Sequence, residues 1–300
     1  MPSSPTCPDP YARDCEVFMK FGLLSVITDF SIDPRELGRQ AEERGFDSLF
    51  VPEHTHMPVH IESRRPDGGP VVPEAMQGLD PFTALSAIAA STTRLLIGTG
   101  ICEVPTRDPI ILAKQVASLD VLSRGRFLFG VGTGWVREEL LNHGVDPATR
   151  TARLMEYLEI MRTIWADHEA SFAGEFVKFD PIVSLPKPVQ RPHPPILMGL
   201  TGTRALDRVT AARAEWMPMY GLEGEGLAER IAQLNEQAAE LGLGPVPVTV
   251  VEVPPEEEAV ARCMEAGVSR CVFTLPPGER DDVLPLLDWY TELSEQAEYL

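Results

Sequence analysis

Three hundred residues, 44% hydrophobic and 24% charged, suffice to bury a full core and do not resemble a disordered chain. Forty-five acids against 26 bases leave a net charge of −19, which repels a phosphate backbone and an anionic lipid surface. Nucleic acid and membrane are therefore poor partners, although a local basic pocket is still allowed.

The opening residues, MPSSPTCPDPYARDCEVF, lack the apolar stretch and basic start of a secretory signal and read as a flexible polar arm over 1–18, ahead of a domain over 19–300. From Met19, β-rich runs alternate with stretches of helical period, the pattern of parallel strands joined by crossover helices. The predicted strands are MKFGLLS (Met19–Ser25), FDSLFVPEH (Phe46–His54), RLLIGTGIC (Arg94–Cys102), RFLFGVG (Arg126–Gly132), PILMG (Pro195–Gly199), AEWMPMY (Ala214–Tyr220), VPVTVVEV (Val246–Val253) and RCVFTLPP (Arg270–Pro277).

Helix signals fall between them. Asp33 caps a helix that starts at Pro34 and ends at Gly45, and Asp80 does the same for PFTALSAIAAST. Runs such as LFV and FLFGV are apolar throughout, as expected of strands covered on both faces. The pattern predicts a single (β/α)8 TIM barrel, with an open doubly wound sheet as the rival; roughly 200–300 residues is an ordinary size for one barrel. Two insertions follow strands 2 and 4, Thr55–Leu79 and Ala170–His193, the second containing a predicted hairpin in SFAGEFVKFDP. Both are expected among the C-terminal loops of the barrel, where specificity is set. No run of about 18 apolar residues could span a bilayer. The five scattered cysteines fit a reducing cytoplasm.

The run RLLIGTGICEVPTRDPIILAKQVASLDVLSRGRFLFGVGTGW resembles the central signature of the luciferase-like monooxygenase superfamily, with its third strand, proline-containing loop, LSxGR phrase and Gly-rich fourth strand. MKFGLL, VPEH and PHPPILMGLTGTRAL fall in the order found in that superfamily, so the likeness spans the chain from Met19. The acid-His pair, the PTRDP loop and the helix after it are most similar to a branch of F420-dependent oxidoreductases found in actinobacteria. The resemblance implies a cytoplasmic enzyme, homodimeric by analogy, that moves a hydride between coenzyme F420 and a small organic substrate. The alternatives are an FMN-dependent two-component monooxygenase and a non-catalytic flavin-binding barrel.

His54 and Glu53 end strand 2, on the face where barrels present catalytic groups, and histidine exchanges protons near neutral pH. His54 is the candidate acid-base residue, against the alternative of a loop histidine bonded to a neighbouring acid, and Glu53 is read as an orienting or structural acid rather than a base. His54, His56, His60 and Glu53 also have the look of a metal-site start, but the later strand ends offer no matching ligands and no metal is expected.

By resemblance, Gly100 and Ile101 form a cis-peptide bulge against the ring. Gly132, Thr133 and Gly134 offer close backbone approach to a ring or phosphate. Trp135 stands where some deazaflavin dehydrogenases carry an acid, which leaves the second acid unidentified. Gly199, Thr201, Gly202 and Thr203 precede a helix and are the candidate phosphate loop, the alternative being a turn with an N-cap threonine.

Overall fold

The computed structural model describes residues 19–69, 76–223 and 226–297; the arm over 1–18 lies outside these described residues. The chain order is β1 (Lys20–Ser25), α1 (Pro34–Glu43), β2 (Ser48–Val51), α2 (Pro81–Ser91), β3 (Leu96–Thr99), β4 (Cys102–Glu103), α3 (Pro109–Leu122), β5 (Phe127–Gly132), α4 (Arg137–Asn142) and α5 (Arg150–Ala166). It continues with β6 (Ala170–Ala173), β7 (Lys178–Ile182), β8 (Ile196–Met198), α6 (Ala205–Ala211), β9 (Glu215–Trp216), α7 (Tyr220–Glu223), α8 (Leu227–Glu240), β10 (Thr249–Val250), α9 (Glu257–Glu265), β11 (Arg270–Leu275) and α10 (Arg280–Ala297). Each of the eight predicted strands contains an observed one.

Parallel pairing runs β10-β11-β1-β2-β3-β5-β8-β9. The bridges Trp216–Val248 and Met219–Val251 join the ends of this path, so the sheet closes into the (β/α)8 barrel and the open-sheet rival falls away. Three helices begin on the same local device. Asp33, Asp80 and Asp108 are N-caps, each followed by a proline at the first helical position, where its missing N–H costs nothing.

Alternation along the strands divides the core into two parts. In β2, Leu49 and Val51 pack outward with the helices, whereas Phe50 joins an interior cluster with Leu24, Leu128, Leu197, Met217, Val251 and Val272. Strand β3 gives this interior glycine instead of bulk. A Cβ on Gly98 would come within 2.5 Å of the Phe50 ring, so the ring fills space that β3 leaves free. Complete burial of such a ring is worth about 1.5–3 kcal/mol. The interior is therefore a packed core rather than a pore.

The two insertions lie in different places. Residues 55–69 cross the end where the strands finish: Glu138 of α4 accepts Glu62 N at 2.9 Å and the Ser63 hydroxyl at 2.7 Å, and Arg65 pairs with Glu252 at 3.2 Å. The second insertion is the expected hairpin, β6 with β7, but it follows α5 and so enters from the opposite end of the barrel. Its tip is held on α5 by Glu156, and its return is tied by Lys187 to the carbonyls of Ile164 and Asp167. Asp120, near the end of α3, accepts the Val189 and Gln190 amides. This corrects the expected position of Ala170–His193. A helix-to-strand connection starts at the face away from the C-terminal loops, and from there the hairpin runs back along α5 until Phe176 lies against Arg153 in that helix's first turn.

Among the described residues no helix is long and apolar enough to cross a membrane.

Candidate active site

Strand β2 ends in adjacent residues with opposite fates. Glu53 has a side chain 1% exposed, and its Oε1 accepts Arg107 Nε at 2.7 Å, with Arg107 Nη2 closing on the same oxygen. Its Oε2 accepts the Glu103 amide at 2.8 Å. Arg107 is held in turn by Asp80 at 2.7 Å and lies over the Phe82 ring. With both oxygens engaged by Arg107 and the Glu103 amide, Glu53 ties the β4 end to β2.

His54 turns toward α4. Its Nδ1 lies 2.7 Å from Glu139 Oε2 and 3.7 Å from Glu103 Oε1, and its ring meets Trp135 edge-on at 5.5 Å. Glu139 is fully buried and Glu103 is 2% exposed. Burial pushes the Glu139 carboxyl up, but the hydrogen bond and charge of His54 and the bonds from Thr55 outweigh it and hold it below the usual range. Glu103 goes the other way. Burial, then the negative charges of Glu139 and Glu53, raise it well above an ordinary glutamate. Two carboxyls shifted in opposite directions around one imidazole can hold and hand on a proton, a pattern common at acid-base sites.

Neither Glu103 nor Glu139 was singled out in the sequence. A signal for Glu103 existed: it is an acid within the apolar run ICEVP. Glu139 lies four residues after Trp135, in α4, and is one of two consecutive glutamates in REELLN. Only the fold shows that Glu138 goes to the inserted loop and Glu139 to His54.

The metal-type grouping does not assemble, since Glu53 faces Arg107 and His60 is exposed. The ligand atoms of His56, Glu139 and His143 do come within 4.8 Å of one another, and the Thr55 hydroxyl hydrogen-bonds to all three residues.

The Gly100–Ile101 peptide is cis. A Cβ on Gly132 would come within 2.7 Å of the Ile101 side chain and one on Gly199 within 2.8 Å, so these two glycines make room for Ile101. Gly134 sits at φ 75°, where a Cβ would come within 2.9 Å of the Glu103 carboxyl, and Thr133 is half-buried beside it. Ile101 and Met219, partly exposed, lie against the interior cluster and form an apolar floor.

On the opposite side, the Gly199 amide donates to the Val131 carbonyl at 2.8 Å and is not free, contrary to expectation. The amides of Thr201, Gly202 and Thr203 have no partner among the described residues, and these three residues are exposed. The N-cap of α6 is Arg204 rather than Thr203, because the chain turns once more before the helix begins. The loop is held from behind by the Trp216 indole on the Leu200 carbonyl at 3.1 Å and by Arg230 on the Gly202 carbonyl at 3.2 Å.

A family model described as luciferase-like monooxygenase matches residues 33–256. An uncharacterized protein of Mycobacterium tuberculosis, Rv0953c, is 39% identical over 269 residues, covering 88% of this chain and 94% of its own. The solved structure of the monooxygenase RslO1 from Streptomyces bottropensis is similar with a TM-score of 0.78 at 20% identity, covering 94% of this chain and 100% of that one. An F420-dependent secondary alcohol dehydrogenase, solved with an F420-acetone adduct, has a TM-score of 0.68 at 19% identity, over 92% and 98% of the two chains.

Proposed function

The chain belongs to the luciferase-like monooxygenase family, and on that basis we propose that it is an F420-dependent oxidoreductase acting on a small organic substrate. When bound, the deazaflavin ring supplies or takes up the hydride. The observation that carries this reading is the buried cluster around His54. A hydride given to a carbonyl must be matched by a proton, and here one imidazole stands 2.7 Å from the buried Glu139 carboxyl and 3.7 Å from the buried Glu103 carboxyl, the first shifted down and the second shifted up.

The residues present fit such a cofactor. Ile101 and Met219 offer an apolar floor for a ring, and the amides of Thr201, Gly202 and Thr203, without a partner among the described residues, suit an anionic tail. His54 would hold and move the proton, Glu139 would fix its ring through Nδ1, and the inserted loop over 55–69 would limit water at the mouth. The secondary alcohol dehydrogenase with its F420-acetone adduct, alike in fold over almost its whole length, supports the same chemistry.

Side-by-side binding titrations of the purified protein with F420 and FMN test the reading. Tight binding of F420 and weak binding of FMN are expected. The second reading is an FMN-dependent monooxygenase; the likeness to the monooxygenase RslO1 favours oxygenation, without naming the cofactor. Preference for FMN, with substrate oxidised only in the presence of oxygen and a flavin reductase, would replace the first reading by the second.

A further inference from the structure

Glu139 is fully buried, yet its two oxygens serve different neighbours. Oε2 meets His54 Nδ1 at 2.7 Å, whereas Oε1 accepts the Thr55 amide at 2.8 Å and the Thr55 hydroxyl at 3.1 Å. The hydroxyl oxygen continues to His143 Nε2 at 2.6 Å and His56 Nδ1 at 3.0 Å, and Thr55 and His143 are both exposed. A hydroxyl has one hydrogen. With that hydrogen on Glu139, the Thr55 oxygen must accept from both rings, which puts hydrogens on His143 Nε2 and His56 Nδ1. The remaining contact agrees with this, because Asn142 Nδ2, a donor, lies 2.9 Å from His56 Nε2, which is then the acceptor.

We propose that His143, Thr55 and Glu139 form a proton relay that joins bulk water to His54 from the α4 side, bypassing the barrel mouth. The inference deepens the hydride-transfer reading and rests on it. The His54 side chain is only 12% exposed in the described residues, and a cofactor and substrate in the mouth would cover it further. A second route then keeps its proton in exchange with solvent.

The transfer balances. Uptake starts with the proton between Glu139 and His54 on Glu139 Oε2 and His54 Nδ1 vacant. As the outer nitrogen of His143 gains a proton, its Nε2 hydrogen passes to Thr55, the Thr55 hydrogen to Glu139 Oε1, and the Oε2 proton to His54 Nδ1. This leaves Glu139 neutral with its proton on Oε1 and His54 as the imidazolium. Each intermediate gives up one proton for each it gains, and the sequence runs equally in reverse. The other titratable neighbours are accounted for: Glu103 faces His54 from the β4 side, His56 hangs on Thr55, and Glu138 is engaged by Ser63 and the Glu62 amide.

The test uses cofactor-free protein labelled with 15N-histidine, with the ring nitrogens of His54 and His143 followed against pH by NMR. The expected result is a His54 curve with an added inflection that coincides with the titration of His143. Thr55→Val and His143→Gln remove that inflection, and Thr55→Ser keeps it. A His54 curve unchanged in Thr55→Val, or lost equally in Thr55→Ser, overturns the relay. His143 is exposed, so His143→Gln gives a reading even if Thr55→Val fails to fold. Failure to bind F420 would sink the function proposed above without altering these curves, whereas a one-step curve would remove the relay alone.

Discussion

The two sides of the barrel mouth are built on different plans. On the β2–β4–α4 side, side chains do everything: Glu53, Arg107, His54, Glu103 and Glu139 are buried or nearly so and interlocked at hydrogen-bond distance. On the β8–α6 side the exposed loop over 201–203 offers backbone amides, and side chains act only from behind, through Trp216 and Arg230. The difference follows from the tasks proposed for them. Proton chemistry depends on a tuned ionisation state, which requires burial and fixed partners. Holding an anion needs only unpaired N–H groups that water can leave.

If this division is right, the largest cost should come from unpairing the buried side. Arg107→Leu leaves Glu53 as a buried charge without its cation, and chemical denaturation should show a loss of about 3–5 kcal/mol. A loss under about 1 kcal/mol would mean that Glu53 finds another partner. The chemical step is the next largest. His54→Gln should lower single-turnover F420 oxidation or reduction by about 10²-fold or more while F420 affinity stays within a few-fold, since acid-base groups contribute about 10²–10⁴. An unchanged rate would remove His54 from the chemistry.

The open side should respond in binding rather than folding. Gly202 sits at φ 85° with nothing within 4 Å of where a Cβ would lie. Gly202→Val therefore meets no clash but strains the backbone by about 1–2 kcal/mol. Isothermal titration should show F420 binding about tenfold weaker, equivalent to about 1.4 kcal/mol, with the cooperative fold retained. Unaltered affinity would move the anion site elsewhere.

The smallest effect concerns pH. Glu103 is raised in the folded state, by burial first and then by Glu139 and Glu53. Its contribution to stability is thus fully present below the unfolded value near pH 4 and is lost as pH rises through the folded value. Glu103→Gln cannot ionise. Its melting temperature relative to the parent should be higher at pH 8 than at pH 4, by about 2–4 °C. The opposite trend would mean that folding lowers the Glu103 carboxyl rather than raising it.

Some of the site was legible before folding, and the reason differs residue by residue. His54 could be picked out because its strand and the polarity of a barrel locate it at the C-terminal face. Gly132 and Gly199 were legible as glycines but not in role, since the atom that needs their small size, the Ile101 side chain, is distant from Gly199 in sequence. The hairpin over 170–182 was legible as local pairing, while its end of the barrel was not. That depends on whether α5 precedes it.

By itself the sequence determined the alternation of strands and helices, the Asp-Pro helix starts and the interior apolar pattern, because each rests on neighbours within a turn or a strand. Tertiary structure alone decided which glutamate meets His54. Glu138 and Glu139 are adjacent and chemically identical, but about 100° of helical rotation per residue separates them. One therefore reaches the surface loop and the other enters the barrel wall, 85 residues along the chain from the histidine it holds.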